Sequence, residues 1–113
     1  MINRVVVAGR LAEAPVVRTT AGGTPLAVLT LDVQHVRSAE AEPEVACLEV
    51  HAYGGGRAAV LERYLGRGSD VLVQGYLRRE AEGLVVVCER FEFMERSLVS
   101  RPLWAEAAPA AAG

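Results

Sequence analysis

Two glycines sit inside strand-like apolar stretches of this chain, and they restrict its fold more than any other residues do. Gly9 interrupts Asn3-Arg4-Val5-Val6-Val7-Ala8-Gly9-Arg10-Leu11, and Gly75 interrupts Val71-Leu72-Val73-Gln74-Gly75-Tyr76-Leu77. A strand glycine gives up side-chain packing, so it usually marks a sharp bend or the close approach of another backbone. Two of them, in strands flanking one short helical pattern, predict a small, strongly curved barrel.

The rest of the pattern is mostly strand. A first strand is expected over Ile2–Leu11, ended by Ala14-Pro15. Arg18–Pro25, with paired glycines and a proline, reads as a turn. A second strand is expected over Leu26–Arg37, with Ala27, Leu29, Leu31 and Val33 on one face and Val28, Thr30, Asp32 and Gln34 on the other. Ser38–Glu44 is a polar hairpin loop. A third strand, Val45–Tyr53, should turn Ala46, Leu48, Val50 and Ala52 inward and Cys47, Glu49, His51 and Tyr53 outward. Gly54-Gly55-Gly56 then releases the chain into a helix over Arg57–Leu65, whose Val60, Leu61, Tyr64 and Leu65 share a side. Gly66 suits the left-handed position after a helix. A fourth strand, Asp70–Arg79, turns at Glu80–Gly83 into a fifth, Leu84–Met94.

Three strands, a helix and two strands is the order of an all-β, five-stranded OB-fold barrel with one short helix between strands three and four. An open-sheet α+β domain shares that order, but closure removes the exposed edges. The barrel is expected over residues 1–95. Residues 96–113, rich in alanine and proline, are too poor in bulky side chains to build a core and read as a flexible tail.

The 113 residues fit one domain, and 51% are hydrophobic, enough for an ordinary core. The net charge is −2, which does not advertise a nucleic-acid binder, although charge distribution matters more than the sum. All twelve basic residues are arginine, a bias in keeping with GC-rich coding. Cys47 and Cys88 lie far apart, without metal-ligand spacing, as thiols of a reducing compartment do. His35 and His51 lack metal partners, and no cofactor is expected. No nucleophile triad, nucleotide loop or paired-carboxylate motif supports an enzyme. There is no signal peptide and no run long enough to span a membrane, so a cytoplasmic protein is expected.

Four segments then resemble one family. Asn3–Leu11 looks like the first strand of bacterial single-stranded DNA-binding proteins, and Pro15–Pro25 resembles their approach to strand two. Val50-His51-Ala52-Tyr53-Gly54, followed by Tyr64-Leu65-Gly66-Arg67-Gly68-Ser69, resembles the third strand, helix and turn. Val73-Gln74-Gly75-Tyr76-Leu77 resembles the fourth strand. Primosomal replication protein N, an OB protein of the same superfamily, is also similar.

The resemblance implies a non-enzymatic binder of single-stranded DNA acting in replication, repair or replication restart. Alternatives are a protein-interaction module of the primosome or a paralogue with weak DNA binding. It also implies a homo-oligomer, dimer or tetramer, through the apolar edge of the first strand at Val5–Val7, and contacts with replication-restart proteins. Several family aromatics are missing: Cys47 stands at a position usually Trp, and the tryptophan expected around Val36 or Arg37 is absent. The acidic C-terminal tip of the family finds no match in the alanine-rich end.

Single-strand binders combine a groove that follows phosphates with flat side chains that accept bases. The outward rows His51, Tyr53 and Gln74, Tyr76, Arg78 can supply both on one sheet surface. Arg4, Arg10, Arg18, Arg37 and Arg79 extend the positive charge. Glu40, Glu42 and Glu44 in one hairpin, and Glu80 and Glu82 in the other, would repel phosphate.

Overall fold

A computed structural model describes residues 1–94. Its elements are β1 (Val5–Leu11), β2 (Val16–Thr19), β3 (Pro25–His35), β4 (Glu44–Tyr53), α1 (Gly55–Tyr64), β5 (Asp70–Glu80) and β6 (Gly83–Met94). The strands run in the order β1-β5-β6-β4-β3, and pairing of β1 with β3 closes the ring. The β4–β6 pair is parallel and the others are antiparallel. This is a closed five-stranded barrel, with β2 hairpinned onto β3 outside it. The tail expected over residues 96–113 lies outside the described residues.

Both strand glycines sit where backbones nearly touch. A Cβ on Gly9 would lie 2.6 Å from the Asp32 carbonyl oxygen, at the β1–β3 seam that closes the barrel. One on Gly75 would lie 1.8 Å from the Val87 carbonyl oxygen. There β6 bulges: Gln74 faces Arg90 but Gly75 faces Cys88, leaving Glu89 as the extra residue. Arg57 of α1 fastens the bulge, donating to the carbonyls of Cys88 at 2.7 Å and Glu89 at 3.1 Å.

The core is lined by Leu11, Leu29, Leu31, Val50, Val71, Val73, Val86 and Cys88. α1 lowers Ala58, Leu61 and Leu65 into it. Full burial of each large apolar side chain contributes about 1.5–3 kcal/mol.

The structure corrects several local expectations. Val16–Thr19 is a strand rather than a turn approach; all four of its residues are exposed, so it carries no buried-face alternation. The shared helix side is narrower than expected: Val60 and Tyr64 are exposed, and the buried stripe is Ala58, Leu61 and Leu65. Ala46 is exposed because the β3–β4 hairpin runs past the end of the barrel. Gly66 does not take the left-handed conformation. Leu65 ends α1 in an extended conformation, which turns its side chain into the core. The positive φ falls on Gly68, at 88°, in a turn closed by the Ser69 N–H to the Gly66 carbonyl. That turn is stitched to β1, since the Gly68 N–H donates to the Leu11 carbonyl and the Leu11 N–H to the Ser69 carbonyl.

Candidate nucleic-acid interface

Val86 and Cys88 face the core, so the strand alternation turns Val85 and Val87 outward. Each is nevertheless only 6% exposed. The side chains flanking β6 on both sides account for this. Val87 stands opposite His51 of β4 and opposite Tyr76 of β5. The outward rows of β4 and β5 are therefore not neighbours, as the sequence suggested; β6 runs between them as an apolar floor.

Arg78 bridges that floor. From its place opposite Val85, it donates to the Tyr53 hydroxyl and makes a long 3.4 Å contact with Nδ1 of His51. Its guanidinium carbon lies 5.2 Å from the centroid of the Tyr53 ring. Its Nε donates to Glu80 at 2.7 Å. The hydrogen bond to the Tyr53 hydroxyl pushes the Arg78 pKa up, burial opposes it, and Glu80 adds a further upward push. The result is a planar cation held over a ring, a pairing that can accept a base and a phosphate together.

His51 departs from the expected exposed residue: it faces outward yet is only 3% exposed, covered by its neighbours. Its Nε2 meets the Glu49 carboxylate and its Nδ1 faces Arg78. The neutral tautomer with the proton on Nε2 satisfies both contacts. His51 thus orients Arg78 instead of presenting a free face. Its ring meets Tyr53 edge-on, with centroids 6.3 Å apart.

The remaining candidates divide. Gln74 and Tyr76 are half-buried on the outer face of β5, beside the bridge. Arg18 is exposed on β2, opposite Leu26, which is itself opposite Tyr53, so it stands in the same cross-strand row. Arg4 is exposed just before β1, at the end that pairs with Gly75. Arg10 lies at the far end of β5, 3.2 Å from the Asp70 carboxylate. Arg37 is exposed beyond β3, and Arg79 falls on the opposite face of β5 from Arg78. Glu40, Glu42, Glu44 and Glu82 are exposed. Glu80 is the residue that sequence reasoning misplaced: it is a partner of Arg78 and not a loop charge. The signal was available, because residues two apart in a strand share a face.

A closed five-stranded barrel with a helix between its third and fourth ring-forming strands is an OB fold, and its ring-and-guanidinium surface is of the kind that such folds offer to polynucleotides. The model of the Single-strand binding protein family matches residues 2–82, and the chain belongs to that family. Two crystal structures of the single-stranded DNA binding protein from Thermus aquaticus are similar. The wild type shares 29% identity at a TM-score of 0.68, covering 84% of this chain and 41% of that one. A deletion variant shares 28% at a TM-score of 0.67, covering 83% and 42%. The chain thus spans less than half the length of either. The comparison with curated proteins found no match.

Proposed function

We propose that this chain binds single-stranded DNA on the outer face of β4, β6 and β5, as a non-enzymatic oligomer serving replication, repair or replication restart beside the nucleoid. The observation that carries this reading is the Tyr53–Arg78 cation–ring pair above the Val85 and Val87 floor, in a member of the single-strand binding family. Gln74, Tyr76, Arg4 and Arg18 extend the contact, and His51 holds Arg78 in place. Arg10, Arg37 and Arg79 add longer-range positive charge. Base stacking contributes about 1–3 kcal/mol per base. With few rings available, phosphate contacts carry more of the affinity than in an aromatic-rich relative.

The oligomer is supported by β1. It pairs with β5 over Val5–Arg10 but with β3 only at Arg10 and Leu11. The rest of its second edge is open among the described residues, and Val6 is 54% exposed beside it. A second copy can pair there.

Fluorescence anisotropy with labelled oligo(dT) tests the reading. Binding weakens as salt rises, with a log–log slope of about −0.7 per phosphate neutralised. Tyr53→Ala and Arg78→Ala each weaken binding by about 5- to 100-fold, the range that one lost stack or charge-assisted contact spans. Wild-type affinity in both variants would remove this face from the site.

A further inference from the structure

At the other end of β5 from Arg78, the last turn of α1 and the end of β6 enclose an open groove of about 400 Å³. Tyr64 and Phe93 line it, 61% and 45% exposed. Their rings lie 5.9 Å apart, and Phe91 continues the row 5.5 Å from Phe93. Exposed large rings in a cluster mark a contact surface more often than single exposed side chains do. The Arg63 guanidinium stands 5.4 Å over the Tyr64 ring, and Arg67 lines the groove. Among the described lining residues the single carboxylate is Asp70, whose side chain is 1% exposed and paired with Arg10.

We propose that this groove is a second stacking contact for single-stranded nucleic acid, taking bases on Tyr64 and Phe93 and phosphates on Arg63 and Arg67. The proposal rests on the reading of the β4–β6–β5 face and extends the path of the same strand. A protein partner would find the same rings, but Arg63 and Arg67, with no accessible carboxylate among the described lining residues, complement a polyanion. Arg78 and Asp70 are eight residues apart on one strand, about 26 Å at about 3.3 Å per residue. An OB fold engages roughly 4–16 nucleotides. A short oligonucleotide therefore occupies the first contact alone, and a longer one reaches both.

The test is a length series with the full chain: oligo(dT) of about 5 and about 20 nucleotides, lengths chosen against the same site-size range, measured by anisotropy. The variants are Tyr64→Ala and Arg67→Gln, with Tyr53→Ala as the reference and light scattering to follow mass. Tyr64 and Arg67 are exposed, so folding is little disturbed, and far-ultraviolet circular dichroism checks it. The expected result is short-oligomer affinity unchanged within about twofold and long-oligomer affinity reduced at least about fivefold, the low end of one lost stack. Unchanged affinity for the long oligomer in both variants, while Tyr53→Ala weakens both lengths, overturns the groove and leaves the first site standing. A wild type that binds neither length overturns the first site itself. A drop in assembly mass for Tyr64→Ala, with affinity unchanged, makes the groove an interface between copies and overturns the proposal.

Discussion

Replacing Gly75 with alanine should remove a large part of the protein's stability. The new methyl carbon would sit 1.8 Å from the Val87 carbonyl oxygen and 2.8 Å from its carbon, against an ordinary contact of 3.4 Å or more. About 1.6 Å must be found (3.4 − 1.8), and the obstructing atoms are backbone, which cannot rotate aside. β5 and β6 would have to separate at the bulge, in the pair that also carries Tyr76, Val87 and Arg78. Overpacking costs about 1–3 kcal/mol. One or two buried backbone groups left without partners add about 1–3 kcal/mol each. A total loss of about 2–9 kcal/mol follows, against the roughly 5–15 kcal/mol that holds a typical domain together. Gly9→Ala meets the Asp32 carbonyl oxygen at 2.6 Å and should cost less. Gly56→Ala is the control: nothing lies within 4 Å of its added carbon, and a helix gains about 0.5–1 kcal/mol from alanine over glycine. Urea unfolding followed by circular dichroism measures all three. A Gly75→Ala stability within about 1 kcal/mol of wild type would refute the argument that this contact shapes the barrel.

Other perturbations bear on the charged groups and the thiols. Glu80→Gln releases Arg78 from its 2.7 Å carboxylate partner and removes a negative charge beside the proposed strand. Oligo(dT) affinity should rise about 3- to 10-fold, and the salt slope should steepen by about 0.7 if Arg78 then neutralises one further phosphate; weaker binding would contradict this. Asp70→Ala strips a buried carboxylate from the half-exposed Arg10 and should lower stability by about 1–3 kcal/mol in thermal melts. Cys47 is exposed and Cys88 buried, so a thiol reagent should label one cysteine at once and the second only on unfolding. Burial pushes the Cys88 thiol pKa up, with Arg57 opposing. Above about pH 8.5 the unfolded chain loses that proton before the folded one does. Stability should therefore fall as pH rises through that value towards the raised folded pKa, and Cys88→Ala should flatten this part of the profile.

How far the sequence could be read depended on whether a signal was local. Gly9 and Gly75 could be interpreted alone, because a glycine amid valines has no packing reason to be there. The faces of β3 could be read from strict alternation, and Ala27, Leu29 and Leu31 are indeed buried. β2 escaped because an exposed four-residue strand leaves no alternation between buried and open faces. Gly66 and Gly68 both follow the helix, and only the burial of Leu65 decides which of them takes positive φ. The candidate face was half legible. Tyr53 and Arg78 were chosen correctly as outward-facing, but their meeting depends on β6 lying between β4 and β5, a pairing order that no local pattern encodes. The same hidden order buried His51, by bringing Arg78 across β6 to close over it.

Amide chemical-shift mapping of the full chain titrated with oligo(dT) at low salt decides whether the β4–β6–β5 face holds DNA. The largest perturbations are expected at Tyr53, Tyr76, Arg78 and Val87, fading as salt is added. Saturable binding whose shifts avoid those residues, or no shifts at all, would contradict this.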